Sequence, residues 1–270
     1  MEYKIFEDST YKILERIRET KPLVHHITNY VVMNSTANIT LAIGASPIMA
    51  HAHDEMEAMQ AFSGALNINI GTLDEYWIES MIKAGRAATK NGTPIILDPV
   101  GSGATELRTQ TTRRLLKETN VTVIRGNASE IMSLSEEDFK IQGVDSMETV
   151  ERARRVAIHL ARTLKKVVAV TGPIDLITNG ETTIDVANGD PMFGNVTGTG
   201  CAATATISCF NAVEKDPLLA TAAALAYYGL AGEIAAKNSS GPGSFQVALY
   251  DALFNMTSED IINGLKVTIQ

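Results

Sequence analysis

Asn195-Val196-Thr197-Gly198-Thr199-Gly200-Cys201-Ala202-Ala203 places small residues and one thiol where a long helix is about to begin. The first turn of a helix carries backbone N–H groups without partners and the positive end of the helix dipole, and glycines let an anion approach them closely. The stretch therefore reads as a phosphate cradle with Cys201 pointing at the anion. It also matches the letters of the dinucleotide fingerprint GxGxxA through Gly198, Gly200 and Ala203. That fingerprint needs a strand directly before it and an acidic residue about twenty positions later. Here the upstream Gly189-Asp190-Pro191-Met192-Phe193-Gly194 reads as loop and the downstream region as further helix. A P-loop is excluded in the same way, because neither Gly-Lys-Ser nor Gly-Lys-Thr follows.

Outward from this stretch, short apolar runs rich in β-branched residues alternate with longer helix-period segments, the pattern of a parallel sheet covered by helices. Strands are expected over residues 46–49, 66–70, 94–97, 121–124, 167–170, 176–178 and 182–186. The last two should form a hairpin across Asn179-Gly180 at positive φ. Helices are expected over residues 9–19, 34–42, 55–63, 73–90, 105–118, 147–164, 200–213, 217–237 and 244–254. Ligands of such sheets bind beyond the carboxyl ends of the strands. Asp98, Arg125 and Thr171-Gly172 directly follow three of the expected strands and so present an acid, a base and a hydroxyl on one rim.

The chain has 270 residues, 45% of them hydrophobic, enough for a sizeable core in one α/β domain over residues 1–270. Its net charge of −8 and the lack of a basic stripe argue against nucleic acid. An acidic protein that binds a phosphate-bearing ligand must supply positive potential locally, from arginine, metal or helix termini. Met1-Glu2-Tyr3-Lys4-Ile5-Phe6-Glu7-Asp8 is too polar for a secretory signal, and the Ala-rich run 218–232 is too short for a bilayer, so no membrane role is expected. Cys201 and Cys209 lie about 12 Å apart along one expected helix, too far to bridge, which suits a reducing cytoplasm.

Individual residues carry competing readings. Asp98 in Asp98-Pro99-Val100-Gly101-Ser102-Gly103 suits magnesium or its waters, and equally an Asx-turn before a helix. Arg125 at a strand end can grip phosphate bidentately, with Gly126 letting the ligand approach. Glu130, three residues after Asn127, fits a capping box at least as well as a ligand role. Cys201 can be a small buried hydrophobe, a nucleophile, or a group beside the reacting oxygen; a helix N-terminus should lower its pKa, and no basic partner is evident. His51 and His53 with Asp54 and Glu55 lack a further ligand cluster, so zinc is not assigned there. His25-His26 before Ile27-Thr28-Asn29-Tyr30 points to no one role.

Together the motifs resemble the hydroxyethylthiazole kinase family of the ribokinase-like superfamily, over nearly the whole chain. The likeness is carried by His26-Ile27-Thr28-Asn29-Tyr30-Val31-Val32, Ile43-Gly44-Ala45-Ser46-Pro47-Ile48-Met49-Ala50, Asn69-Ile70-Gly71-Thr72-Leu73 and Leu97-Asp98-Pro99-Val100-Gly101. It continues through Arg125-Gly126-Asn127-Ala128-Ser129-Glu130, Val196-Thr197-Gly198-Thr199-Gly200-Cys201 and Gly241-Pro242-Gly243-Ser244-Phe245-Gln246. The resemblance implies a ribokinase-like α/β fold, a mostly parallel sheet with helices on both faces. It implies ATP- and magnesium-dependent phosphorylation of the primary alcohol of 4-methyl-5-(2-hydroxyethyl)thiazole in thiamin salvage. By that resemblance Arg125 and Thr171 contact ATP, Asp98 and Glu130 organise magnesium and phosphates, and Asn29, Met49 and Gly198 lie around the thiazole. Gly198, Gly200 and Cys201 would then serve the transfer itself, and the family is a homotrimer with sites shared between neighbouring subunits. Many relatives have alanine where Thr199 stands, and the wider superfamily has an aspartate base where Cys201 stands. The rival readings are a dehydratase of hydrated nicotinamide nucleotides on the same fold, and a silent nucleotide-binding subunit.

Overall fold

Short runs such as Ile95-Ile96-Leu97 and Val167-Val168-Ala169-Val170 are apolar on both faces, as strands covered on both sides must be. In the computed structural model, which describes residues 3–135 and 149–270, such runs hydrogen-bond side by side. The parallel strands are β1 (Leu23–Ile27), β2 (Ser46–Ile48), β3 (Ala65–Asn69), β4 (Ile95–Asp98), β5 (Val123–Asn127) and β6 (Val167–Thr171). The antiparallel β7 (Asp175–Thr178), β8 (Thr183–Val186) and β9 (Val267–Ile269) extend the same sheet, in the order β2-β1-β3-β4-β5-β6-β7-β8-β9.

Two apolar layers enclose it. On one face lie α1 (Tyr3–Thr20), α2 (Met33–Ile43), α8 (Thr199–Asn211), α9 (Pro217–Lys237), α10 (Pro242–Asn255) and α11 (Ser258–Gly264), packed around Phe210, Tyr227 and Phe245. On the other lie α3 (Met56–Phe62), α4 (Glu75–Asn91), α5 (Glu106–Glu118), α6 (Ala128–Met132) and α7 (Thr149–Leu164), packed around Trp77, Met81 and Leu115. The apolar α9 is buried along most of its length, so its composition reflects a core position. Its start is set by Asp216, whose side chain accepts from the N–H groups of Leu218 and Leu219, and by Pro217 in the first turn.

Several expectations need correction. The sequence gives no strand signal at β1, because two histidines interrupt its apolar run. Both are buried and hydrogen-bonded: His25 Nε2 meets the Ala50 carbonyl at 2.8 Å, and His26 meets Asn67 Nδ2 at 3.0 Å and Thr40 Oγ1 at 3.2 Å. Burial lowers the pKa of both, that of His26 to about 3, so they act as neutral polar core residues. β9, α6 and α11 are too short for periodicity to reveal. Helix α1 begins at Tyr3, six residues before the expected start, whereas residues 147 and 148 of the helix expected over 147–164 lie outside the described residues. In the β7–β8 hairpin only Gly180 has positive φ, +93°. Asn179 instead accepts from the N–H groups of Glu181 (2.9 Å) and Thr182 (2.8 Å), a longer side-chain-built turn.

Candidate active site

The acid, the base and the hydroxyl lie inside the strands rather than after them. Asp98 closes β4, Thr171 closes β6, and β5 runs two residues past Arg125, so the hydrogen-bond ladder itself fixes their spacing. Asp98 is fully buried. Its Oδ2 accepts from Asn69 Nδ2 and Thr204 Oγ1, each at 2.8 Å, and lies 3.5 Å from Arg125 Nη1, while Oδ1 is buried without a partner. Burial raises its pKa to about 6 against the pull of Arg125. The Asx-turn reading fails, because Val100 N bonds to the backbone carbonyl of Asp98 at 2.9 Å and the side chain turns inward.

Arg125 is only 8% exposed. Nη2 donates to Thr171 Oγ1, Nη1 faces Asp98, and Nε is buried without a partner. The guanidinium lies against the first turn of α8, where a Cβ on Gly200 would sit 3.0 Å from both Nη1 and Nη2. That turn has no side-chain cap. Gly198 precedes it with φ +81°, and a Cβ there would come within 2.5 Å of Val32 Cγ1. Gly198 is therefore required by backbone conformation and by packing against Val32, a different reason from the close anion approach that the letters suggest. The Thr199 hydroxyl donates to the carbonyls of Phe193 (2.9 Å) and Val196 (3.3 Å), so it is committed to the preceding loop.

Cys201 is half-buried and accepts from Asn29 Nδ2 at 3.6 Å. Its pKa is raised to about 11, chiefly by burial and then by the charge of Asp98, against the hydrogen bonds of Asn69 and Asn29 and the charge of Arg125. The expected lowering by the helix terminus is thus overturned: at neutral pH the group is a thiol.

Glu130 completes the capping box. Its N–H donates to Asn127 Oδ1 (2.9 Å), its Oε2 accepts from Asn127 N (2.8 Å), and its Oε1 accepts from Gly101 N (2.9 Å), which ties the loop after Asp98 to the start of α6. Arg108, which carries no motif signal, ties the same loop to the one after β3 by donating to the carbonyls of Val100 (2.6 Å), Ile70 (2.9 Å) and Gly71 (2.8 Å). Among the described residues no group of three or more histidine, cysteine or acidic side chains is placed to hold a metal. His53 stacks on Tyr76 at 3.9 Å and His51 on Trp77 at 4.9 Å, which accounts for both without zinc.

A cavity of about 540 Å³ opens beside Arg125, Thr171 and Gly200, lined further by Asp175, Phe193 and Tyr228. Burial raises the pKa of Asp175 to about 6, although its Oδ1 accepts from Gly172 N at 2.9 Å. Asp175 and Tyr228 were not singled out from sequence; the one available signal is that Asp175 closely follows the strand end at Thr171. Asn29 and Met49 do not line this cavity. Asn29 bonds to Cys201, which does not line the cavity either, and Met49 follows β2 beside Ala50, whose carbonyl His25 holds.

A sequence profile of the Hydroxyethylthiazole kinase family matches residues 14–259. The hydroxyethylthiazole kinase of Desulfosudis oleivorans is 60% identical over 264 residues, 97% of this chain and 96% of that protein. The solved hydroxyethylthiazole kinase of Pyrococcus horikoshii OT3 superposes with TM-score 0.90 at 44% identity, covering 97% of this chain and 99% of that one. At 15% identity, a ribokinase-like superfamily protein of Enterococcus faecalis V583 shares the fold, with TM-score 0.62 over 90% of this chain and 93% of its own.

Proposed function

The chain belongs to the hydroxyethylthiazole kinase family with a ribokinase-like fold, and on that premise we propose that it transfers the γ-phosphoryl group of ATP to the primary alcohol of 4-methyl-5-(2-hydroxyethyl)thiazole, as one domain over residues 1–270. The observation that carries the reading is the Arg125 guanidinium lying against the uncapped start of α8 at the mouth of the 540 Å³ cavity. In a protein of net charge −8, this places two sources of positive potential together.

Arg125 grips the triphosphate while Thr171 keeps its guanidinium in plane, and the cavity beside them takes the nucleoside. The N–H groups of Thr199, Gly200 and Cys201 receive the charge that develops on the transferred group. Phosphoryl transfer of this kind has a loose transition state, so placing the hydroxyl matters more than deprotonating it early. A neutral Cys201 thiol fits that requirement by steering the acceptor hydroxyl without removing its proton. Met49 and Gly198 border the thiazole; the flexible thioether suits an aromatic ring.

Magnesium is consistent with these residues: the buried Asp98 Oδ1 lacks a partner, and such an ion takes few carboxylates and several waters. Asp98 and Glu130 would hold it, and when bound it neutralises charge on the phosphates. We place the enzyme in the cytoplasm as a homotrimer whose neighbouring subunits cover the exposed Tyr30 and Val31 beside Asn29. The test incubates the protein with magnesium, ATP and the thiazole alcohol and looks for the phosphate ester by mass. The pyrimidine alcohol of thiamin and hydrated NADH run in parallel; product from either of these, with none from the thiazole, would overturn the assignment.

A further inference from the structure

An asparagine side chain offers one carbonyl oxygen and two N–H hydrogens. Those of Asn29 are already engaged: Oδ1 accepts from Val31 N at 3.1 Å, and Nδ2 donates to Asn69 Oδ1 at 2.8 Å and to Cys201 Sγ at 3.6 Å. Asn69 is fixed just as fully. Its Oδ1 accepts from Gly71 N at 3.0 Å as well as from Asn29, and its Nδ2 donates to Asp98 Oδ2 at 2.8 Å. The two main-chain donors, Val31 N and Gly71 N, decide which end of each amide is oxygen, because a reversed amide would set N–H against N–H. The direction of donation therefore runs from Asn29 to both Asn69 and the sulfur. Both asparagines are almost wholly buried, at 4% and 1% exposure. Gly71 makes the arrangement possible twice over: its N–H orients Asn69, and a Cβ in its place would lie 2.5 Å from Asn29 Nδ2 and 2.7 Å from its Cγ.

An amide committed in this way has no N–H left for a ring heteroatom. Its remaining N–H goes to the sulfur, which Asn69 also meets with a hydrogen bond, so the thiol turns its own hydrogen away from both amides. We propose that Asn69 and Gly71 are positioning residues for phosphoryl transfer: they lock the Asn29 amide so that it holds the Cys201 thiol toward the acceptor hydroxyl, and Asn29 acts on the sulfur instead of on the heterocycle. This rests on the reading that Cys201 faces the acceptor alcohol.

Asn69→Ser removes the acceptor for Asn29, whereas Gly71→Ala crowds the same amide from the other side. Each should lower kcat about tenfold without adding to the loss caused by Asn29→Ala; Gly71→Ala should leave the nucleotide KM within about twofold, whereas Asn69→Ser, which also withdraws a donor from Asp98 Oδ2, should raise it. In the unliganded protein, the side-chain NH₂ resonances that disappear in Asn29→Ala should shift in Asn69→Ser, in Gly71→Ala and in Cys201→Ser. Multiplicative losses with Asn29→Ala, a nucleotide KM of Gly71→Ala that rises in step with the fall in kcat, or unmoved NH₂ resonances would each overturn the proposal. Labelling of the buried Cys209 would reveal a misfolded variant; should Asn69→Ser misfold, Gly71→Ala and Cys201→Ser still decide the matter. The resonance measurement needs no turnover, so a wild-type protein inactive on the thiazole with shifted NH₂ resonances would overturn the functional reading, whereas an active protein with unmoved resonances would overturn the amide lock alone.

Discussion

Gly200→Ala separates stability from nucleotide handling. A methyl group at that position would stand 3.0 Å from both terminal nitrogens of Arg125 and 3.4 Å from Cζ, against an optimal spacing of about 3.5 Å or more. The guanidinium must therefore retreat by about half an ångström. It cannot do so freely, because Thr171 and Asp98 hold it from two sides. On the stability side, replacing a helical glycine by alanine gains up to about 1 kcal/mol, which roughly offsets the crowding. On the binding side, a displaced guanidinium forfeits about one charge-assisted hydrogen bond to the triphosphate, about 1.5–3 kcal/mol. At about 1.4 kcal/mol per tenfold, kcat/KM for ATP should fall roughly 10- to 100-fold while the melting temperature moves by only a few degrees. Steady-state kinetics with ATP varied at saturating thiazole alcohol, beside a thermal melt of the same sample, reads both. Unchanged kcat/KM would mean that Arg125 does not work against the start of α8. A melting temperature that falls in proportion to activity would mean that the methyl group simply disrupts the fold.

Cys201 should react with iodoacetamide slowly at neutral pH and about tenfold faster per pH unit until its titration near pH 11; a rate plateau near pH 8 would show the helix terminus winning over burial. Since the fold favours the protonated thiol, its contribution to stability should decline as pH rises from about 9 to about 11, visible in denaturant melts of wild type against Cys201→Ala. Met49→Lys should raise the thiazole KM at least about tenfold with the ATP KM unchanged, and an unaltered thiazole KM would remove Met49 from the pocket. Gly232→Ala would set a methyl 2.3 Å from Phe193 Cζ and disturb its stack on Tyr228 at the cavity wall; urea unfolding should register a loss of about 1–3 kcal/mol, and no loss would mean that Phe193 yields freely.

What the sequence made legible was whatever a local rule controls. The strands β4 and β6 hold dense apolar runs, Asp216-Pro217 announces α9, and Asn127 with Glu130 announces the capping box, so all of these are readable from neighbouring letters. β1 was not, because His25 and His26 are acceptable in a sheet only through Gln60, Asn67, Thr40 and the Ala50 carbonyl, contributed from other parts of the chain. The same limit explains Cys201. Its place at a helix start is local and argues for a lowered pKa, whereas the burial and the Asp98 charge that raise it are properties of the assembled sheet. Arg108 carries no signal, and Asn69 appears only as a letter of a family motif without a role of its own, for a related reason: most of what they bond to lies far along the chain, Asn29 and Asp98 for Asn69 and Ile70 and Gly71 for Arg108.

The spacing of Asp98 and Arg125 has a physical logic of its own. Two oppositely charged groups buried side by side would be most stable in a close, doubly hydrogen-bonded pair. Here they stay 3.5 Å apart, and each keeps a buried atom without a partner, Oδ1 on the acid and Nε on the base. Thr204 and Asn69 explain how that looser arrangement persists: both donate to Asp98 Oδ2 at 2.8 Å, so two neutral groups absorb much of the carboxylate charge. Arg125 is then only partly neutralised, and Thr171 with the glycine gap at residue 200 turns its remaining field toward the cavity and the open end of α8. A closer pair would strengthen the fold but extinguish the positive potential on which an acidic protein depends to attract a polyphosphate. The two apolar layers on either side of the sheet supply enough stability for the carboxyl edge to remain electrostatically unsatisfied. On this account the donors to Asp98 belong to anion binding as much as the arginine does, although neither touches the anion.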